Sequence, residues 1–187
     1  MANAVIRHND SIEIVAARVS EALAAHGIDA VLSGGSVVSI YSANEFQSHD
    51  LDFITSAARR ELDAAMAELG FAREGAGRHY VHALTPFVVE FPAGPLMVGE
   101  ELVKRHAELK TRAGTIRLLT PTDAVKDRLA AFFHWSDRQS LEQALAICRR
   151  QPVNLAQVAR WARREPPPAG ERHRVFRDRL ALAGKRT

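Results

Sequence analysis

The apolar positions of this chain change period near its middle, and the change divides it in two. Ile12, Val15, Val19 and Leu23 recur at the spacing of one helix face until Gly27. Asp10-Ser-Ile-Glu13, just ahead, has the spacing of a capping box and predicts the helix start. "DAVLSGG" predicts a short buried strand broken by glycine, and "SVVSIYSA" a short helix beginning at Ser36. After the polar loop "NEFQSH", Leu51 and Phe53 alternate with Asp50 and Asp52 as in a half-buried strand. "AARRELDAAMAELG" is again helical, with Gly70 as its stop. From Phe71 to Leu119 the helical period is gone, and "FARE", "RHYVHAL", "PFVVEF" and "GTIRLL" predict further strands separated by Gly and Pro.

Thr120-Pro-Thr-Asp123 then opens a helix with proline at its first position and Val125, Leu129, Phe132 and Phe133 as its apolar stripe. Ser136-Asp-Arg-Gln139 predicts the start of another, running through Leu141, Leu145 and Cys148 to Arg149. Two more, "QPVNLAQVARWARRE" and "GERHRVFRDRLALAG", flank Pro166, Pro167 and Pro168. The expected fold is α/β (α+β): a mixed sheet flanked by helices over residues 1–119, followed by a C-terminal helical bundle over 120–187. Trp135 and Trp161 fall at helical positions and read as core.

Composition narrows the class. Of 187 residues, 47% are apolar and 25% charged, proportions of a globular rather than a disordered chain. No run approaches the eighteen or so apolar residues of a membrane span. "MANAVIRHND" lacks an apolar signal core, and the single Cys148 rules out an internal disulfide. These features predict a cytoplasmic protein without a membrane partner. Net charge is only +3, but from Arg149 onward eleven Arg and Lys face three acids, Glu165, Glu171 and Asp178. Such a segment suits a polyanion, most simply nucleic acid, or else a solvated helix surface.

The chemistry concentrates around Asp50-Leu-Asp52. Residues two apart on a strand point to one face, and neighbouring carboxylates repel unless a cation joins them. Mg²⁺ prefers such oxygen ligands together with phosphate oxygens; a plainly solvated face is the alternative. Gly34 and Gly35 allow a sharp turn and close backbone approach, and Ser36 would begin a helix whose free N–H groups favour an anion. Glu90 lies inside the apolar run "PFVVEFP", where an acid is costly unless paired, exposed or metal-bound. His79 and His82 sit on opposite strand faces and form no metal pair.

Gly34-Gly-Ser36, thirteen intervening residues, Asp50-Leu-Asp52 and a later isolated acid, Glu90, together resemble the signature of the DNA polymerase β-type nucleotidyltransferase superfamily. The resemblance implies a minimal nucleotidyltransferase fold, in which Gly34, Gly35 and Ser36 hold an NTP triphosphate. Asp50, Asp52 and Glu90 would be catalytic and would bind Mg²⁺ or Mn²⁺. Glu90 departs from the Asp more common at that position. "LLTPTDAVKDRLAAFFHWSDRQSLEQAL" further resembles AbiEii/MenT-type bacterial nucleotidyltransferases, which implies nucleotide contacts from Lys126 and Asp137, with Arg128 as a further counterpart. It also implies a toxin with a cognate antitoxin. Asp123 reads as structural, an acid favoured in the first turn of a helix by the dipole.

The expected activity is transfer of a nucleoside monophosphate from an NTP to an acceptor hydroxyl. The acceptor would be RNA, such as a tRNA 3′ end, a protein or a small molecule, with Arg160, Arg163 and Arg164 as RNA-contacting residues. A catalytically inactive binding module and an antibiotic adenylyltransferase are the alternatives.

Overall fold

Sequence patterns of period two and period 3.6 separate in the computed structural model as they do along the chain. The structure describes residues 5–184; the first four residues of the N-terminal stretch, and Lys185 and Arg186 of the basic segment, lie outside them. The elements are α1 (Ile12–Ala25), β1 (Ala30–Ser33), α2 (Gly34–Tyr41), β2 (Asp50–Thr55), α3 (Arg59–Glu68), β3 (Ala72–Arg73), β4 (His79–His82) and β5 (Thr85–Glu90). They continue with β6 (Met97–Val98), β7 (Glu101–Leu102), β8 (His106–Thr111), β9 (Gly114–Leu119), α4 (Pro121–Trp135), α5 (Arg138–Arg150), α6 (Leu155–Ala162) and α7 (Ala169–Gly184).

Seven strands form one mixed sheet in the order β3-β4-β5-β2-β1-β9-β8, while β6 and β7 make a separate small hairpin. β2 is central, antiparallel to β1 and parallel to β5; β1 is parallel to β9. Alternation puts Leu51 and Phe53 of β2 on the buried face with Leu32, Val89, Ile116 and Leu118. α1 packs on β1, β9 and α3, sealing apolar side chains that have no polar group to satisfy. Asp63 of α3 fastens the sheet's far edge, accepting from the Tyr80 hydroxyl at 2.8 Å and from Arg73 at 3.0 Å. Burial and then that contact push the Tyr80 hydroxyl up to about 12.

The C-terminal helices gather around α4, which packs on α5, α6 and α7 and also on α2. Phe133 stacks on Trp161 with ring centroids 5.6 Å apart, and the Trp161 indole N–H donates to the Val98 carbonyl at 3.3 Å. Trp161 is thus the core residue its position predicts. Trp135 is not: it is 76% exposed at the end of α4.

Other local expectations shift. α1 takes Ser11 as its N-cap, while Asp10 accepts from the Arg7 N–H at 2.8 Å and pairs with Arg18. α2 begins at Gly34, two residues before Ser36, because Ser33 already occupies the cap. α5 is capped by Asp137 rather than Ser136, which adopts a left-handed conformation and ends α4. β8 was not expected from the sequence. Its alternation of exposed His106, Glu108 and Lys110 with half-buried Ala107 and Leu109 is that of an edge strand with little apolar content.

Candidate active site

No residue separates β1 from α2: Ser33 ends the strand and Gly34 begins the helix. Gly34 has φ +67°, and a Cβ built on it would stand 2.5 Å from Asp52 Oδ2. Any larger residue would therefore be strained twice, by backbone conformation and by collision. Ser33 is paired with Asp52 across the antiparallel ladder, and its hydroxyl donates to the Asp52 carbonyl at 3.3 Å. The carboxyl of Asp52 consequently lies against the start of α2, where the first N–H groups have no partners within the helix.

Asp50 shares the face of Asp52, since Leu51 between them points into the core. Glu90 stands beside Asp52 in the parallel β2–β5 register. The three acids thus share one sheet surface. Burial, then Glu90, then Asp50 raise the Asp52 carboxyl above its ordinary range, against the partial relief of Arg78 and Arg128. Neither Asp50 nor Asp52 has a side-chain ion pair among the described residues. Glu90 differs: Arg78 Nε donates to its Oε2 at 3.2 Å, and His79 Nε2 lies 2.7 Å from its Oε1. Among the described residues no three His, Cys, Asp or Glu side chains close on one point. Asp50, exposed, and Asp52, half-buried, have no ion partner and nonetheless fit a hard divalent cation, and Gly34, lacking a Cβ, lets the Asp52 carboxyl close on the backbone at the start of α2.

The other expected contacts fall in different places. Gly35 follows in the first turn of α2, against Ser48. Ser36 is fully buried, and its hydroxyl donates to the Ser33 carbonyl at 3.0 Å, closing the turn from within. Lys126 is 1% exposed, and its ammonium donates to Asp123 Oδ1 at 3.0 Å and Glu101 Oε1 at 3.2 Å. Asp137 accepts from the N–H groups of Gln139 and Ser140 and from the Ser140 hydroxyl, contacts that hold its carboxyl below the usual range. Arg160 and Arg163 are exposed, whereas Arg164 pairs with Glu101 at 2.6 Å.

Sequence reasoning missed Arg78 and His79, whose significance comes from a cross-strand register that no local pattern announces. It also missed a cleft of about 830 Å³ between the β6–β7 region and α4 and α6, bordered by Glu100, Glu101, Asp123, Trp161, Arg164 and Glu165. None of Asp50, Asp52 and Glu90 lines that cleft.

Solved structures share this arrangement of sheet and helices. A nucleotidyltransferase-like antigenic protein from Paracoccidioides brasiliensis superposes with a TM-score of 0.56 at 13% identity, over 76% of this chain and 78% of that one. This is the nucleotidyltransferase fold. ANT(2″)-Ia in complex with adenylyl-2″-tobramycin superposes with a TM-score of 0.50 at 12% identity, over 90% of this chain and 97% of that one. No family model matches the sequence, and no curated protein does. Among the described residues, no helix is long and apolar enough to cross a membrane.

Proposed function

We propose that the protein is a metal-dependent nucleotidyltransferase that moves a nucleoside monophosphate from an NTP to an acceptor hydroxyl. The observation that carries this reading is the unpaired Asp50–Asp52 carboxylate pair set against the Gly34 turn and the start of α2. Asp50 and Asp52 would hold Mg²⁺ or Mn²⁺, which when bound supplies charge neutralisation for the triphosphate. Gly34, Gly35 and the first N–H groups of α2 cradle phosphate oxygens, because a helix N-terminus combines free donors with a favourable dipole. Arg128, paired with Asp127 but close enough to lower the Asp52 carboxyl, adds positive charge beside the same phosphates. Glu90, once its oxygens are released from Arg78 and His79, accepts the acceptor's proton. The acceptor oxygen then bonds to the α-phosphorus, the bond to the β-phosphate bridging oxygen breaks, and pyrophosphate leaves.

Lys126 and Asp137 have structural partners, so the triphosphate assignment rests on Gly34, Gly35 and α2. For the acceptor, exposed Arg160 and Arg163 support RNA, such as a tRNA 3′ end, and with it the reading of a toxin with a cognate antitoxin. The 830 Å³ cleft supports a second reading, a small-molecule acceptor, since its size suits one; its acids Glu100, Glu101, Asp123 and Glu165 are offset by Lys104, Arg105 and Arg164, so its charge does not select a cation. ANT(2″)-Ia with its adenylylated tobramycin is a neighbour in fold for that alternative.

The test is incubation with each α-labelled NTP, Mg²⁺ or Mn²⁺, and in turn total RNA, a protein lysate and aminosugars. Wild type should label one acceptor class, and Asp52→Ala should lose labelling while remaining folded. Labelling that persists in the Asp50→Ala/Asp52→Ala double variant would rule out the pair as the catalytic centre. Nucleotide binding without transfer to any acceptor would favour a non-catalytic binding module.

A further inference from the structure

The chain has two tryptophans, and they lead opposite lives. Trp161 is buried and hydrogen-bonded, whereas Trp135 leaves most of its surface in water. A large aromatic side chain so exposed leaves much apolar area unburied, and the fold gains nothing visible from it. Its neighbour His134 meets it only edge-on, with ring centroids 6.0 Å apart.

Its position on α4 gives it a direction. Arg128, Ala131 and Trp135 are spaced i, i+3 and i+7, so they form one line along the helix. Two turns separate the ends of that line, about 10 Å at the helical rise. α4 packs on α2, the helix that starts at Gly34, and the Tyr41 hydroxyl at the far end of α2 donates at 2.7 Å to the Leu119 carbonyl just ahead of α4, so α4 leaves that end of α2. The Arg128 guanidinium is held by Asp127 on the same helix and by Gln143 of α5 at 3.5 Å, and from there its charge reaches both Asp52 and Asp137. The line therefore begins beside the candidate phosphate site and runs outward to Trp135. Ala131, half-buried and small, leaves the middle of it open.

The seat of Trp135 is also fixed. Ser136 ends α4 with φ 58°, and Arg172 of α7 donates to the carbonyls of Phe132 and Phe133 at 2.7 and 2.5 Å and to the Ser136 hydroxyl at 2.7 Å. One guanidinium thus holds the last turn of α4 from outside. An aromatic face presented on a fixed backbone loses little freedom when a flat ligand covers it.

We propose that Trp135 is the stacking platform for the base of the nucleotide, with Arg128 along the path between base and phosphates. The proposal rests on the nucleotidyltransferase reading and adds to it the place of the nucleobase. Stacking on an indole discriminates weakly among bases, because every base has a π face. Purine and pyrimidine nucleotides should both bind, with purines ahead by their larger ring area.

Two probes separate this inference from the reading beneath it. Mg²⁺-tripolyphosphate tests the phosphate site alone, and Mg²⁺ with α,β-methylene-ATP tests phosphates and base together. Trp135→Ala should bind the nucleotide roughly five- to a hundredfold more weakly than wild type, the usual range for losing one base–aromatic stack, while tripolyphosphate affinity stays unchanged. Trp135→Tyr should recover most of the loss. Nucleotide should also quench tryptophan fluorescence in wild type but not in Trp135→Tyr, where only buried Trp161 remains. The side chain's exposure means that neither substitution threatens the fold. Equal nucleotide affinity in wild type and Trp135→Ala would overturn the stacking role and leave the phosphate site standing. Wild type that binds neither probe would overturn the underlying reading and the platform with it.

Discussion

Two clusters of acids lie in this molecule, and the fold treats them differently. Around Lys126, the carboxylates of Asp123 and Glu101 meet one fully buried ammonium, and Glu101 receives Arg164 as well. On the sheet, Asp50 and Asp52 stand side by side with no cation in contact, and Asp52 is raised by burial and by its acidic neighbours. The first cluster is compensated by the chain itself and belongs to the architecture. The second is left in need of positive charge beside the turn where Gly34 lets a carboxylate close on the backbone. Neighbouring acids thus point to function by lacking partners, and their number alone says little.

Removing the cation from the compensated cluster should have the largest effect. Lys126→Met removes a buried ammonium from Asp123 and Glu101, and because both carboxylates border the cleft and Glu101 keeps Arg164, the cost should fall at the low end for breaking a buried pair, about 3 kcal/mol. Urea unfolding should show that loss, and Lys126→Met/Asp123→Asn/Glu101→Gln should regain much of it. A single-variant cost well under 1 kcal/mol would erase the contrast between the clusters.

At the uncompensated cluster, Gly34→Ala should cost about 1–3 kcal/mol, through a positive-φ residue that cannot take a side chain without strain. Because the new Cβ meets Asp52 itself, the double variant Gly34→Ala/Asp52→Ala should cost less than the sum of its singles. Strict additivity in a thermal or urea cycle would mean that the collision is not what disfavours Ala.

Asp52→Asn should act in the opposite direction and raise the melting temperature by a few degrees at neutral pH. Folding raises the pKa of Asp52 above its unfolded value, so its ionised form weakens the fold above the raised pKa. That penalty fades as pH falls through it. The advantage of the Asn variant should therefore be full at neutral and alkaline pH and shrink on acidification. An advantage that grows toward acid pH would reverse the assignment of Asp52 as destabilised in its charged form.

Arg78→Ala should have the smallest effect on stability, within about 1 kcal/mol, because an exposed ion pair contributes little. It should, however, free one Glu90 oxygen and tighten Mn²⁺ binding, measured by calorimetry. Unchanged Mn²⁺ affinity would show that the Arg78 contact does not hold Glu90 back.

Much of this was legible along the chain. Caps and apolar stripes announced α4, and the Asp-Leu-Asp alternation placed both acids on one face of β2, because these signals are local. The pairing of Glu90 with Asp52 followed only as an expectation from resemblance, since the strand register joins residues thirty-eight positions apart. Lys126 could not be distinguished from an exposed helix lysine, because its burial depends on the β6–β7 hairpin, whose four short-strand residues carry no periodicity. Trp135 was misplaced for the reverse reason: helical spacing gives a residue's face, but not whether another element covers that face. Ser36 was taken as the helix start because two glycines precede it, but the helix already begins at Gly34, and Ser33 stands at its N-cap without a side-chain capping bond.

The direct passage from β1 into α2 also bears on how this protein can be altered. A hinge needs residues whose φ and ψ are free to change, and at Ser33–Gly34 there are none, since one residue belongs to the sheet and the next to a helix. The helix is in effect a rigid bracket welded to the central sheet, so its first turn keeps its aim at Asp52 whatever the outer segments do. Insertions, tags or new chain ends would be absorbed in the exposed turn before β4, around Gly75–Gly77. A single residue inserted after Ser33 would rotate the whole of α2 by about 100° and turn its first N–H groups away from the acids.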